Sequence, residues 1–327
     1  MLLFVFALSL FVASLMILTS AILGSGGGEL HSPLSTLGSP FVPESAVSAH
    51  DQPEGAVPRP RALAATLPPE APPSLVAQND PALQRVIEDA IGADAGHLSV
   101  VVRRLGDGRT ASVDGDRVFY AASTFKLAIL YEAQRQRSLG LLDLDDELTL
   151  SEEDAGEDLG TLGAVPFEAG GGVTVRNALR AMITVSDNSS AVALLHHLGG
   201  GIVDGTLRRL GLSATSVNTT DLPTTAKDMA LLMESIATGR GVSADAREEM
   251  RALLLDQRTR FGIPQGVPSG VPIGNKTGTW EGATHDVAFV DAPGGAYVIA
   301  ILSDRGWEWS PLARVSKAVF QAMTATP

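Results

Sequence analysis

The chain contains no cysteine. Disulfides, lipid-modified cysteine and thiolate metal sites are therefore excluded, and the absence is compatible with any redox compartment. Positive charge is missing from the start: no Lys or Arg precedes Arg59, so charge asymmetry sets no membrane orientation. Lysine is scarce everywhere, four among 24 basic residues. Glutamate is absent between Glu168 and Glu234, and no internal repeat is present. Residues 81 to 327 carry 22 basic against 31 acidic side chains. That balance argues against nucleic acid or an anionic membrane surface as partner.

What is present divides the chain in three. Residues 2 to 23 carry no charge; at ~1.5 Å per residue they reach roughly 33 Å, the thickness of a bilayer core. A cleaved signal peptide has a shorter apolar stretch behind a basic start. An uncleaved membrane anchor is therefore expected in residues 1 to 24, with a cleaved signal as the alternative, and the remainder outside the cytoplasm. Residues 25 to 80 hold ten of the nineteen prolines among Gly, Ser and Ala, without apolar periodicity. Such a segment cannot bury enough surface to offset its ordering entropy and reads as a disordered linker. Residues 81 to 327 are long enough for one globular domain with a sizeable core.

Within that domain, apolar spacing predicts a helix in PALQRVIEDAI, with Pro81 in its first turn. Two strands, LSVVVRRL and RTASV, meet at Gly106-Asp107-Gly108. Helices follow from Ser123 to near Gly140, in TVRNALRAMITV capped by Thr174, in Ser189 to Leu198, and in TTAKDMALLMESIA. Strands return in VPIGNKTG, THDVAFVD and AYVIAILSD before a last helix, LARVSKAVFQAM. This order predicts an α/β (α+β) fold: an antiparallel sheet of about five strands closed by both ends of the domain, with a helical subdomain between them.

Three short motifs carry chemistry. In AASTFKLAIL, Ser123 and Lys126 stand one helical turn apart on one face. Apolar residues surround them, so the helix is expected to be buried. A desolvated lysine gives up its proton more readily and can serve as base to a hydroxyl, which arginine cannot. Ser186-Asp187-Asn188 interrupts two helices with three polar residues; taken alone it also reads as a helix cap. Lys276-Thr277-Gly278-Thr279 lies on an apolar strand. It is not a phosphate loop, because Asn275 precedes the lysine and no strand-to-helix turn follows.

Ser-x-x-Lys, Ser-Asp-Asn and Lys-Thr-Gly in this order resemble the signature of class A β-lactamases and related penicillin-binding proteins. The resemblance runs through essentially all of residues 81 to 327 and implies a β-lactamase/transpeptidase-like serine hydrolase. It implies Ser123 as the acylated nucleophile, Lys126 as its activating partner and Ser186 as proton shuttle to the leaving nitrogen. Asn188 would contact the substrate amide, and Lys276 and Thr277 the substrate carboxylate. Backbone N–H groups of Ser123 and of Thr279, beyond Gly278, would form the oxyanion hole. The implied partner is a β-lactam or a D-Ala-D-Ala-like substrate, with no cofactor, no metal and a monomeric chain.

One feature departs from the family. Its β-lactamases carry a Glu-x-x-Leu-Asn stretch whose glutamate activates the deacylating water, whereas here GLSATSVNTTDLPTTAKDM is shorter and has none. Asp221 is the natural substitute, with a turn-forming Asp as its plainer role. A missing general base costs ~10²–10⁴ in rate, which favours acylation over turnover. A D-alanyl-D-alanine carboxypeptidase and a non-catalytic penicillin-binding sensor therefore stand as alternatives. His285 occupies a place where the family often has a carboxylate-gripping arginine; protonated it could serve, neutral it is a strand histidine. The acidic run from Asp143 to Asp158 lacks the glycine and terminal glutamate of a calcium loop, and His196-His197 has no matching ligands.

Overall fold

Strands whose residues are nearly all apolar need cover on both faces. The strand Tyr297–Ser303 has this composition and lies inside the sheet, while the strand that carries Lys276 is more polar and forms one edge. In the computed structural model, which describes residues 78–149 and 172–325, β8 (Ile273–Trp280), β9 (Ala283–Val290) and β10 (Tyr297–Ser303) pair antiparallel. Every residue of β9 and β10 is buried. The chain's early strands β2 (Leu98–Arg104) and β3 (Arg109–Val113) complete the antiparallel part, β2 lying against β10. A sixth strand, β1 (Gln78–Asn79), runs parallel to β3 at the edge. The ordered fold thus begins before residue 81, three residues inside the segment expected to be linker. The expected anchor, nearly all of that linker and the acidic run beyond Thr149 lie outside the described residues. Among those described, no helix is long and apolar enough to cross a membrane.

Alternation along each strand feeds two cores. Val100, Val102, Ile299 and Ile301 point into one, against α1 (Pro81–Ile91) and α8 (Ser310–Thr324). Val101, Val298, Ala300 and Leu302 point into the other, against the helical layer. Helix α1 starts where Asp80 Oδ1 accepts from Leu83 N (3.0 Å), with Pro81 in a position where no N–H is needed.

The helical layer centres on α2 (Lys126–Ser138), buried at every position from Lys126 to Gln134, which is the all-round burial its sequence demands. A short pair, β4 (Val118–Tyr120) with β7 (Pro223–Thr225), brackets its entry; β5 (Glu147–Thr149) and β6 (Gly172–Thr174) form another. Helices α3 (Val175–Thr184), α4 (Asn188–Leu198) and α6 (Ala226–Thr238) fall where expected. Two more were not anticipated: α5 (Gly200–Leu210) and α7 (Ala244–Leu255). Helix α5 opens on two glycines and contains a third, which lowers helix propensity; burial of Val203 and Leu207 offsets that cost.

Candidate active site

Ser123 lies in a 3₁₀ turn, Ala122–Phe125, that leads directly into α2. Ala122 holds a left-handed backbone conformation, φ 44°, a strain that the surroundings must impose. They do so by clasping Ala121. Its carbonyl accepts from Thr124 N (3.1 Å) and Thr124 Oγ1 (2.6 Å), and its N–H donates to Leu222 O (2.8 Å). Strand β8 presses on the turn from the other side. A Cβ on Gly278 would stand 3.0 Å from both Ala121 O and Ser123 N, so only glycine lets the strand come this close.

Lys126 Nζ is fully buried and reaches Ser123 Oγ at 3.2 Å, Ser186 O at 2.7 Å, Ser186 Oγ at 3.3 Å and Asn188 Oδ1 at 2.5 Å. Burial, then the charge of Lys276, push its pKa well below the ordinary lysine value, against the opposing pull of Asp187. A neutral amine has two N–H groups and one lone pair. Ser186 O and Asn188 Oδ1 can take the two hydrogens, leaving the lone pair for the Ser123 hydroxyl.

Lys276 Nζ, also fully buried, donates to Ser186 Oγ (3.0 Å) and Thr277 O (2.8 Å). Burial lowers its pKa to about 7, with Asp286 pulling the other way. The Ser186 hydroxyl thus bridges the two lysines. It is aimed there by a left-handed backbone, φ 63°, while Asp187 caps α4 through Ser190 N at 2.6 Å. The motif is therefore both a cap and a part of the cluster.

Ser123, Lys126, Ser186, Asn188 and the Lys276–Thr279 strand converge. His285 and Asp221 do not join them as charged groups. His285 is buried against Phe119; its Nε2–H donates to Tyr120 O (2.8 Å) and its Nδ1 accepts from Ser303 N (3.2 Å). Burial lowers its pKa to about 4. With both nitrogens engaged by backbone, the ring is neutral and presents no cation to a substrate carboxylate, so the strand-histidine reading fits. Asp221 is exposed, in a turn where Leu222 N donates to Thr219 O (3.3 Å).

The loop around Asp221 is tied down from beneath. Asp204 accepts from Val217 N (2.8 Å) and Ser216 Oγ (2.6 Å), and Asp228 from Ala214 N (2.9 Å) and Thr215 Oγ1 (2.9 Å). Their carboxylates are committed to N–H and hydroxyl groups of the loop. A further buried acid escaped the sequence reading. Asp286 accepts from Asn275 Nδ2 (2.9 Å) and Ile263 N (2.8 Å) on the sheet face turned away from Ser123. An isolated charge within the apolar strand THDVAFVD was the available signal. Among the described residues no group of acidic or histidine side chains could hold a metal ion.

A Ser-Lys-Ser-Lys cluster with both lysines buried, set between an antiparallel sheet and a helical layer, defines the β-lactamase/transpeptidase-like class of serine hydrolases. The chain belongs to the beta-lactamase enzyme family, whose profile matches residues 82–323. β-Lactamase AST-1 of Nocardia asteroides is 31% identical over 236 residues, 67% of this chain and 74% of that protein. A PBP-A mutant, an acyl-enzyme complex with penicillin G, is 27% identical with TM-score 0.69, covering 78% of this chain and 98% of that one. An ancestral class A β-lactamase is 26% identical with TM-score 0.66, covering 73% and 99%.

Proposed function

We propose that this protein attacks β-lactam amides through an acyl-enzyme on Ser123 and hydrolyses that intermediate slowly. The observation that carries the reading is the desolvated Lys126 amine, 3.2 Å from Ser123 Oγ. Neutral Lys126 takes the hydroxyl proton as Oγ bonds to the lactam carbonyl carbon. The N–H groups of Ser123 and Thr279, on either side of the close approach at Gly278, receive the developing oxyanion. When the C–N bond breaks, Ser186 passes a proton to the leaving nitrogen and is resupplied by the lysines it bridges. Lys276, while protonated, holds the substrate carboxylate, and the edge position of β8 leaves the Thr277 hydroxyl, on the strand's other face, to reach it around that edge.

Slow deacylation follows from the loop. Water attacks without a glutamate, and the carboxylates of Asp204 and Asp228 are already engaged by N–H and hydroxyl groups of the loop. The same feature supports a second reading, a D-alanyl-D-alanine carboxypeptidase. Residues 2 to 23 support a place outside the cytoplasm, tethered by that segment.

Stopped-flow with a chromogenic cephalosporin, paired with intact mass spectrometry, tests the reading. One fast equivalent, an adduct on Ser123 and a slower steady state are expected. Absence of both burst and adduct overturns it. A permanent adduct without turnover identifies a sensor instead, and release of D-alanine from a D-Ala-D-Ala peptide a carboxypeptidase.

A further inference from the structure

Residues two apart on a strand share a face. Lys276, Gly278 and Trp280 therefore look toward the same side of β8, and their register partners agree: Gly278 faces His285, and Trp280 faces Ala283. That side is the Ser123 side, because Gly278 abuts Ser123 N and His285 donates to Tyr120 O. One step past the glycine, the Trp280 ring meets the Tyr120 ring, with centroids 6.4 Å apart and planes at 58°. Tyr120 is itself bound to the short loop: it pairs with Pro223, and the next residue, Ala121, donates to Leu222 O at 2.8 Å. Leu222 keeps a left-handed conformation, φ 36°, to make that contact. Both rings are half-buried, and burial raises the Tyr120 phenol pKa. The junction between β8, the Ser123 turn and the loop is thus filled by Tyr120, Leu222, Pro223 and Trp280, none of them charged.

Resting on the acyl-enzyme reading above, we propose that Tyr120 and Trp280 form an aromatic wall that keeps water from the Ser123 ester and prolongs the acylated state. Hydrolysis requires a water oxygen to bond to the acyl carbon while Ser123 Oγ leaves with a proton from that water, releasing the free acid. Excluding water from a closed site suppresses this step. The wall acts after acylation, since the lysines that activate Ser123 lie further along β8 and in α2.

The test follows the benzylpenicillin adduct by mass spectrometry after rapid removal of excess drug. In Trp280→Ala the adduct half-life is expected to shorten at least about tenfold, while the acylation rate constant stays within about threefold. Trp280→Phe should restore most of the lifetime. Tyr120→Ala opens the wall from its other side, so a fold lost in one variant leaves the second decisive. Half-lives unchanged or lengthened in the folded variants overturn the wall, as does a parallel fall in acylation and lifetime, which marks a packing role. A wild-type protein that forms no adduct overturns the acyl-enzyme reading itself, and the wall with it.

Discussion

On one side of Ser123, two buried lysines share the Ser186 hydroxyl, and one of them, Lys126, reaches the Ser123 hydroxyl. On the other side, the loop from Gly211 to Thr225 gives the Ser123 turn only the Leu222 carbonyl and is otherwise tied to Asp204 and Asp228 beneath it. Both regions are well hydrogen-bonded. They differ in where the bonds are spent. The first keeps titratable groups desolvated and aimed at a reacting atom, which is how a site stores reactivity. The second uses its carboxylates to hold a loop in place and leaves Asp221 in solvent. Under the proposed acyl-enzyme reading, this contrast is expected to favour forming an ester over clearing it.

The largest expected effect is at the hydroxyl both regions flank. Ser123→Ala should abolish covalent labelling by a fluorescent penicillin; undiminished labelling removes the nucleophile. Next comes Lys126→Arg, which nearly keeps the side-chain length but holds its proton permanently and cannot act as a base. The acylation rate should fall at least ~10²-fold by stopped-flow, and a near wild-type rate reduces Lys126 to an electrostatic role.

The third prediction concerns pH. Lys276 holds its proton below about 7 and loses it above. In the role proposed for Lys276, substrate carboxylate binding is therefore expected at lower pH and lost as pH rises through that value. The basic limb of kcat/KM should bend near pH 7; a profile flat to pH 9 shows that Lys276 does not titrate in this role. Asp221→Asn sharpens the comparison from the loop side: exposure predicts a steady-state rate within about threefold of wild type, and a selective tenfold fall makes it the substitute base.

The smallest effect is on stability. Burial raises the Asp286 pKa from 3.8 to about 7. Between these values the folded chain keeps a proton that the unfolded chain has lost, so stability declines as pH rises through the window. Asp286→Asn should flatten that decline in melting temperature, and an unchanged slope assigns it to other groups.

Much of this was legible in the linear sequence. Ser123 and Lys126 are one helical turn apart, a local distance fixed by helix geometry, and the apolar run after them announces burial. The sheet core was legible for the same reason, since strands buried on both faces must be apolar throughout. Helices α5 and α7 were not, because glycines weaken the one and charge dilutes the apolar spacing of the other. His285 illustrates a different limit. Its place in sequence suggested a cation, but the carbonyl of Tyr120, 165 positions away, and the N–H of Ser303 fix it as neutral.

The sequence by itself determined the reactive pair, the order of the motifs and the lack of a glutamate, because each depends on residue identity or on spacing within one turn. Only the tertiary structure decided that one Ser186 hydroxyl would bridge two lysines 150 positions apart. It also decided that Gly278 would meet Ser123 and that the Tyr120 and Trp280 rings would meet beside them. Those contacts join segments distant along the chain, and they arise when sheet and helical layer pack together and exclude water between them.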